Sequence, residues 1–169
     1  KIAVSANGRL LRYVPRPHTY DIVHAAISQN GYSLGHTTMR FRDMFPLVLN
    51  AVTNRGYALK YASQRLRDNI HIVSTAIHND LVAFRYASER IRGNPEIALY
   101  VISCDYTIAR HWALSLCTDE QFMMRAIQIA PETIQFACKN VRKNKNIMLT
   151  AIKYYRQLNV WTDDVLKRD

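Results

Sequence analysis

The sequence predicts an all-α fold, a solenoid-like stack of short helical hairpins, and three observations carry that expectation. The first is a period. Ala26-Ile27, Ala51-Val52, Ala76-Ile77, Val101-Ile102, Ala126-Ile127 and Ala151-Ile152 fall 25 residues apart, and a fixed spacing of this size marks a repeat architecture. The second is the pattern inside one period. Ile72, Val73, Ala76 and Ile77 lie at i, i+1, i+4 and i+5, which is one face of an α-helix. The third is the residue that opens each copy. Thr19, Asn69, Asn94, Asp119 and Asn144 share one slot, and all accept a hydrogen bond from an orphan backbone N–H at a helix start.

The elements follow in order. Copies are expected at 1–18, 19–43, 44–68, 69–93, 94–118, 119–143 and 144–169, about six full repeats in a single array over 1–169. Ala3-Val4 is a displaced copy that lacks most of its first helix. The chain also opens Lys1-Ile2 rather than on Met, so it reads as part of a longer protein. The apolar slots repeat as Ile22, Val23, Ala26, Ile27 and as Leu47, Val48, Ala51, Val52. They continue as Ile97, Ala98, Val101, Ile102, then Phe122, Met123, Ala126, Ile127, and close as Ile147, Met148, Ala151, Ile152. A small side chain in the third slot lets another helix approach closely. Met44 breaks the opening pattern, with Asp43 beside it. Asn94-Pro95-Glu96 is a strong helix entry, because proline fits the first turn and an acid suits the positive end of the dipole. Gly31 and Gly56 stand where C-cap glycines belong. Pro131 takes the matching slot and is expected to begin the next helix.

The second half of each copy reads as another helix. Leu59, Ala62 and Leu66 have i, i+3, i+7 spacing, repeated by Phe84, Ala87, Ile91 and by Ile134, Ala137, Val141. Each copy is then two helices of roughly ten residues, too short to stand alone in water. Stacked neighbours must supply the burial. The stretch 101–117 departs from the pattern, since Ile108 and Ala113 are out of phase, and a bend or an altered second helix is expected there.

Composition narrows the class. The chain has 169 residues, 49% apolar and 21% charged, an ordinary globular balance. Its longest apolar run falls far short of the roughly 18 residues of a membrane span. Three cysteines, Cys104, Cys117 and Cys138, are widely spaced and odd in number. That argues against a secreted disulfide framework and for packed thiols in a reducing intracellular compartment, the cytosol or an organelle matrix.

The run Gly56-Tyr57-Ala58-Leu59-Lys60-Tyr61-Ala62-Ser63-Gln64-Arg65-Leu66-Arg67-Asp68 recurs as Phe84-Arg85-Tyr86-Ala87-Ser88-Glu89-Arg90-Ile91-Arg92-Gly93-Asn94. This resembles the short helical repeats catalogued as domain of unknown function 4116, known from protists, large DNA viruses and intracellular bacteria. The resemblance covers most of the chain, best at 44–94, and is weaker at 119–152, where Phe136-Ala137-Cys138 replaces Tyr-Ala-Ser. It is poor at 105–117. It implies an interaction module inside a larger protein, and it brings no catalytic residues, because the family has none assigned.

The residues themselves offer no catalytic or cofactor site. His71 and His78 are seven apart on one helical face without a third ligand at familiar spacing. Asp163-Asp164 follows Trp161 and belongs to the first turn of a last helix. No phosphate loop, zinc-protease motif or nucleophile elbow occurs. The chain is therefore expected not to be an enzyme and to use no cofactor and no metal. What remains is positive charge in register. Arg42, Arg67, Arg92, Arg142 and Lys167 share one slot, and Arg40, Arg65 and Arg90 another; Lys143 and Lys145 extend the cluster. Cations there complement the negative helix end by about 0.3–1 kcal/mol, and arginine stems cover apolar surface. Those ordinary roles leave the net charge of +10 unexplained. Tyr61 and Tyr86 recur in phase and are expected as wedges between helices, the other reading being stacking platforms or protein hot spots, while Tyr154, Tyr155 and Trp161 are expected to cap the array or anchor a partner.

These features point to a non-catalytic scaffold that binds a protein with an acidic surface inside a larger assembly. Arg40, Arg42, Arg65, Arg67, Arg90, Arg92, Arg142, Lys143 and Lys145 are the candidate partner-binding residues. No membrane span and no small-molecule substrate are expected. The alternative is an RNA-binding or ribonucleoprotein-associated module that contacts the phosphate backbone, since no systematic pair of base-reading positions is present.

Overall fold

The structure is a computed structural model and describes residues 2–154. Tyr155, Trp161, Asp163, Asp164 and Lys167 lie outside the described residues. The described residues form helices joined by turns and short extended links, with no strand among them, and no helix among them is long and apolar enough to cross a membrane. The chain divides into two compact units, Lys1–Ile91 and Arg92–Asp169.

The first unit contains α1 (Ile2–Ala6), α2 (Tyr20–Gln29), α3 (Met39–Arg42), α4 (Phe45–Asn54), α5 (Gln64–Arg67) and α6 (Ile70–Asn79), and reaches into α7 (Glu89–Arg92). Between them run 3₁₀ helices at Gly8–Tyr13, Gly31–His36, Gly56–Tyr61 and Leu81–Tyr86. α4 packs between α2 and α6. Its inward stripe, Leu47, Val48, Ala51 and Val52, is fully buried, as is the stripe Ile72, Val73 and Ala76 of α6. In α2 the buried positions are Val23, Ala26 and Ile27.

The second unit holds α8 (Pro95–Cys104), α9 (Leu114–Thr118), α10 (Glu120–Ile129), α11 (Lys139–Arg142) and α12 (Lys145–Tyr154), with 3₁₀ helices at Tyr106–His111 and Pro131–Phe136. α10 packs against α8 and α12. In α8 the core takes Ala98, Leu99, Val101 and Ile102, so Leu99 replaces the expected Ile97, which is half-buried.

The opening residues behave as caps. Asn69 accepts from the Ile72 N–H at 3.1 Å, Asn94 from Glu96 and Ile97, Asp119 from Phe122 and Asn144 from Asn146 and Ile147. Thr19 and Met44 make no side-chain cap.

The second half of each copy differs from the expected ten-residue helix. It is a six-residue 3₁₀ helix followed by a separate α-helix of four or five residues. Buried Leu59 and Ala62 are three apart, a spacing that fits both periods, and a 3₁₀ helix eclipses i and i+3. The break comes at Ala62 and Ser63, both extended with ψ near 156° and 159°. Leu66 then restarts a helix that Ser63 caps through a 3.3 Å bond from the Leu66 N–H.

Two further expectations are corrected. Gly31 and Gly56 are not C-caps: the helices end at Asn30 and Arg55, and no described glycine has positive φ. They open the 3₁₀ helices and make room for a neighbour. A Cβ on Gly31 would sit 2.3 Å from the Ala51 carbonyl oxygen, and one on Gly56 would sit 2.3 Å from that of Ala76. Their N–H groups donate to Asn54 Oδ1 at 3.0 Å and Asn79 Oδ1 at 2.6 Å. The same two asparagines donate to the Ser28 and Thr53 carbonyls, tying successive copies together. Pro131 does begin a helix, the 3₁₀ helix Pro131–Phe136.

In the stretch 101–117 the second helix is altered, as expected: α9 has five residues where α5 and α7 have four, and it lacks the side-chain cap that Ser63 gives α5. The 3₁₀ helix Tyr106–His111 occupies the same place in the copy as Gly56–Tyr61. Volume changes as well. Where the first unit buries Ala58, Leu59 and Ala62, the second buries Ile108, Ala109 and Trp112. The large side chain moves by one residue, and Trp112 stands buried where the first unit has Ala62, its ring edge-on to Phe122 at 4.8 Å.

Candidate interaction surface

The arginines of the two ladders point to different work. Arg42, Arg67, Arg92 and Arg142 are half-buried, not free ribs. Arg42 donates to the Gly35 carbonyl and Arg92 to the His111 carbonyl at 2.8 Å. Their backbone carbonyls accept in turn from the next copy. Ser63 N–H reaches Arg42, Ser88 N–H reaches Arg67 and Ala113 N–H reaches Arg92, at 2.9, 2.9 and 3.2 Å. A cation over the carbonyl end of a short helix meets the negative end of its dipole.

Arg65 and Arg90 are spent differently. Arg65 Nε donates to Asp43 Oδ1 at 3.1 Å, and its Nη2 donates to the Asp43 carbonyl at 2.8 Å. Arg90 repeats this on Asp68, at 3.0 and 2.6 Å. The Ser63 hydroxyl donates to Asp43 and the Ser88 hydroxyl to Asp68. This serine is the one in Tyr-Ala-Ser, so that motif builds a clamp between successive copies. Arg40 stays exposed; the slot that would hold its aspartate is His18, whose ring nitrogen lies on the Val14 carbonyl. Lys143 and Lys145 are exposed.

The clamp carries a pH signature. Hydrogen bonds from Ser63, then Arg65, hold the Asp43 carboxyl below its ordinary 3.8, and Ser88, then Arg90, do the same for Asp68. A carboxyl lowered by folding contributes stability above its unfolded pKa and loses it as pH falls through the folded value. Stability should therefore drop as the pH is taken below 3.8. Asp68→Asn should flatten part of that drop in urea unfolding across a pH series. An unchanged pH profile in the variant would show that the clamp is not a thermodynamic link.

The expectations overlooked an aromatic row that carries its own cations. Tyr32 meets Tyr57 edge-on at 6.0 Å, and Tyr57 meets Tyr86 edge-on at 5.0 Å. Lys60 lies 5.7 Å above Tyr57 and 5.8 Å above Tyr61, and Arg85 lies 5.1 Å above Tyr86. Burial and a hydrogen bond shared with Tyr57 push the Tyr86 phenol up to about 12, and the same bond draws Tyr57 down. Tyr61 is a wedge, as expected: its ring lies where a Cβ on Gly35 would come within 2.9 Å. The signal was present in the sequence, because Lys60 and Arg85 stand one period apart, as do Tyr32 and Tyr57. At the near end of the same unit Arg16 donates to the His36 carbonyl at 3.3 Å. Burial, then Arg12, Arg42 and Arg16, hold the His36 ring below its ordinary 6.5. Over residues 1–91 there are twelve Lys and Arg against five Asp and Glu.

The two histidines of α6 meet different neighbours. His71 stacks on Phe45 at 6.0 Å, and His78 Nδ1 lies 2.7 Å from the Ser74 carbonyl. No group of three or more His, Cys, Asp or Glu among the described residues could hold a metal ion.

The family model of the domain of unknown function DUF4116 matches residues 46–92 and 119–159, more than half of the 169 residues. The chain belongs to the DUF4116 family. No curated protein matches it, and no solved structure does. The first DUF4116 match takes in the clamp of Asp68, Ser88 and Arg90 and most of the aromatic row; the interval between the matches holds the copy with displaced volumes.

Proposed function

We propose that this DUF4116 chain is a non-catalytic helical-repeat scaffold, its copies stacked as a solenoid-like array with a period of 25 residues. In this reading it docks an acidic protein through the row Tyr32, Tyr57, Lys60, Arg85 and Tyr86. One observation carries the reading: Lys60 and Arg85 rest on aromatic rings. A cation over a ring is held there by the ring's quadrupole, which fixes it beside the aromatic surface, and tyrosine and arginine are among the side chains that dominate binding energy at protein interfaces. The ladder arginines are a weaker basis, because Arg65 and Arg90 already meet aspartates.

RNA is the second reading, favoured by the excess of positive charge. The ring geometry favours protein over it. Single-stranded RNA stacks bases on open aromatic faces, whereas here the rings stand at 83° and 80° to each other, and Lys60 and Arg85 lie over one face of Tyr57 and Tyr86 respectively.

The test is quantitative affinity capture with the whole chain, beside Lys60→Glu/Arg85→Glu and Arg65→Glu/Arg90→Glu. The first pair should lose its protein partners, and the second should lose fewer of them. Identical partners from wild type and Lys60→Glu/Arg85→Glu would end the proposal. Recovered RNA, with affinity falling by a log–log salt slope of about 0.7 per phosphate contact, would move the assignment to the second reading.

A further inference from the structure

In the first unit successive copies are joined at one recurring point, where Ser63 and Arg65 meet Asp43 and Ser88 and Arg90 meet Asp68. The second unit lacks every member of that clamp. The aspartate slot holds Gly93 and Thr118, the serine slot Ala113 and Cys138, and the arginine slot Ser115 and Asn140. At the same junction the half-buried arginine slot, filled by Arg42, Arg67 and Arg92, becomes Cys117. Two of the three cysteines thus occupy two slots that the repeat brings together.

The backbone fixes how close they are. Cys138 N–H donates to the Cys117 carbonyl at 2.9 Å. That hydrogen bond and the bonds flanking it limit the Cα separation to about 6.8 Å, and disulfides span about 4.4–6.8 Å between Cα atoms. Both side chains are half-buried, and neither is bonded to another sulfur. The Cys117 thiol is pushed up by burial and by the neighbouring Cys138, and it lies 3.7 Å from the Ala113 carbonyl. Cys104 lies exposed on α8, away from the junction slots.

We propose that Cys117 and Cys138 form a thiol pair that low-molecular-weight disulfides oxidise to an intramolecular bond, closing covalently the junction that the first unit closes with charge. The exchange balances. One protein thiolate attacks a sulfur of the reagent and expels one small thiolate. The second protein thiolate attacks the resulting mixed disulfide and expels the other. Both protein protons end on the two released thiols, the reagent is reduced, and one protein S–S bond replaces the reagent's own.

The experiment uses the intact 169-residue chain, reduced and then incubated with glutathione disulfide. Free thiols should fall from three to none, with a glutathione retained on exposed Cys104 and none on the Cys117–Cys138 pair, which should be lighter by about 2 Da, and dithiothreitol should restore all three. A tryptic map should show the Cys117 and Cys138 peptides linked and Cys104 outside the link. Cys138→Ser should leave Cys117 as a glutathione adduct and abolish the cross-link. If that variant fails to fold, the wild-type map alone decides. Glutathione adducts on both cysteines without a cross-link, a bond that includes Cys104, or both thiols still free would each overturn the proposal.

Discussion

Phe84→Ala is expected to lower the unfolding free energy by about 3–5 kcal/mol, the range for truncating a buried aromatic. Phe84 is fully buried in the 3₁₀ helix Leu81–Tyr86, which packs on α6 and on Gly56–Tyr61. The residues beside it, Ala83 and Ala87, are already small and buried, so neither can swing into the void. Interiors are packed to crystal-like density, and the atoms lining an unfilled cavity lose contacts outright. Urea unfolding with a constant m-value measures the loss. A change below about 1 kcal/mol would mean that the site collapses freely, against the upper range for such truncations.

Gly56→Ala is the second large effect, a loss on the order of 1–3 kcal/mol from overpacking. The added Cβ would lie 2.3 Å from the Ala76 carbonyl oxygen and 2.9 Å from the Asp80 nitrogen and Cβ. Most of those atoms are backbone and cannot step aside. The shift would also disturb the 2.6 Å bond from Gly56 N–H to Asn79 Oδ1. Alanine recovers about 0.4–1 kcal/mol through a stiffer unfolded chain, and Gly56 has no positive φ to defend, so overlap outweighs entropy. Gly35→Ala is the control. The three atoms nearest its Cβ all belong to the Tyr61 ring, at 2.9–3.0 Å, and a side chain can tilt. Thermal unfolding should rank Gly56→Ala well below Gly35→Ala; equal midpoints would contradict the close approach.

The ten-residue helices could be read from the sequence because their information is local. The stripe of Leu47, Val48, Ala51 and Val52 is a 3.6-residue pattern, and Asn69 or Asn94 announces its own helix start. The 3₁₀ segments were not legible, because Leu59 and Ala62 satisfy three-residue and α-helical spacing alike. The choice is made at Ala62-Ser63, whose extended backbone lets Ser63 reach Asp43 in another copy. The glycines misled for a related reason: Gly31 and Gly56 answer to the Ala51 and Ala76 carbonyls, twenty positions away in each case. The positive ladders were visible as charge. Their division into carbonyl-capping Arg42 and Arg92 and aspartate-bound Arg65 and Arg90 depends on partners in other elements. Lys60 and Arg85 were in register all along, but only the rings beneath them set them apart from solvated lysine and arginine.

The family match stops at Arg92 and resumes at Asp119, although the elements between keep their places. Within that interval Ile108, Ala109 and Trp112 redistribute bulk among three positions while the core remains filled. In this chain, then, exchanges that offset one another erase a copy's motif without moving its helices, and its copies are better counted from helix starts than from motifs.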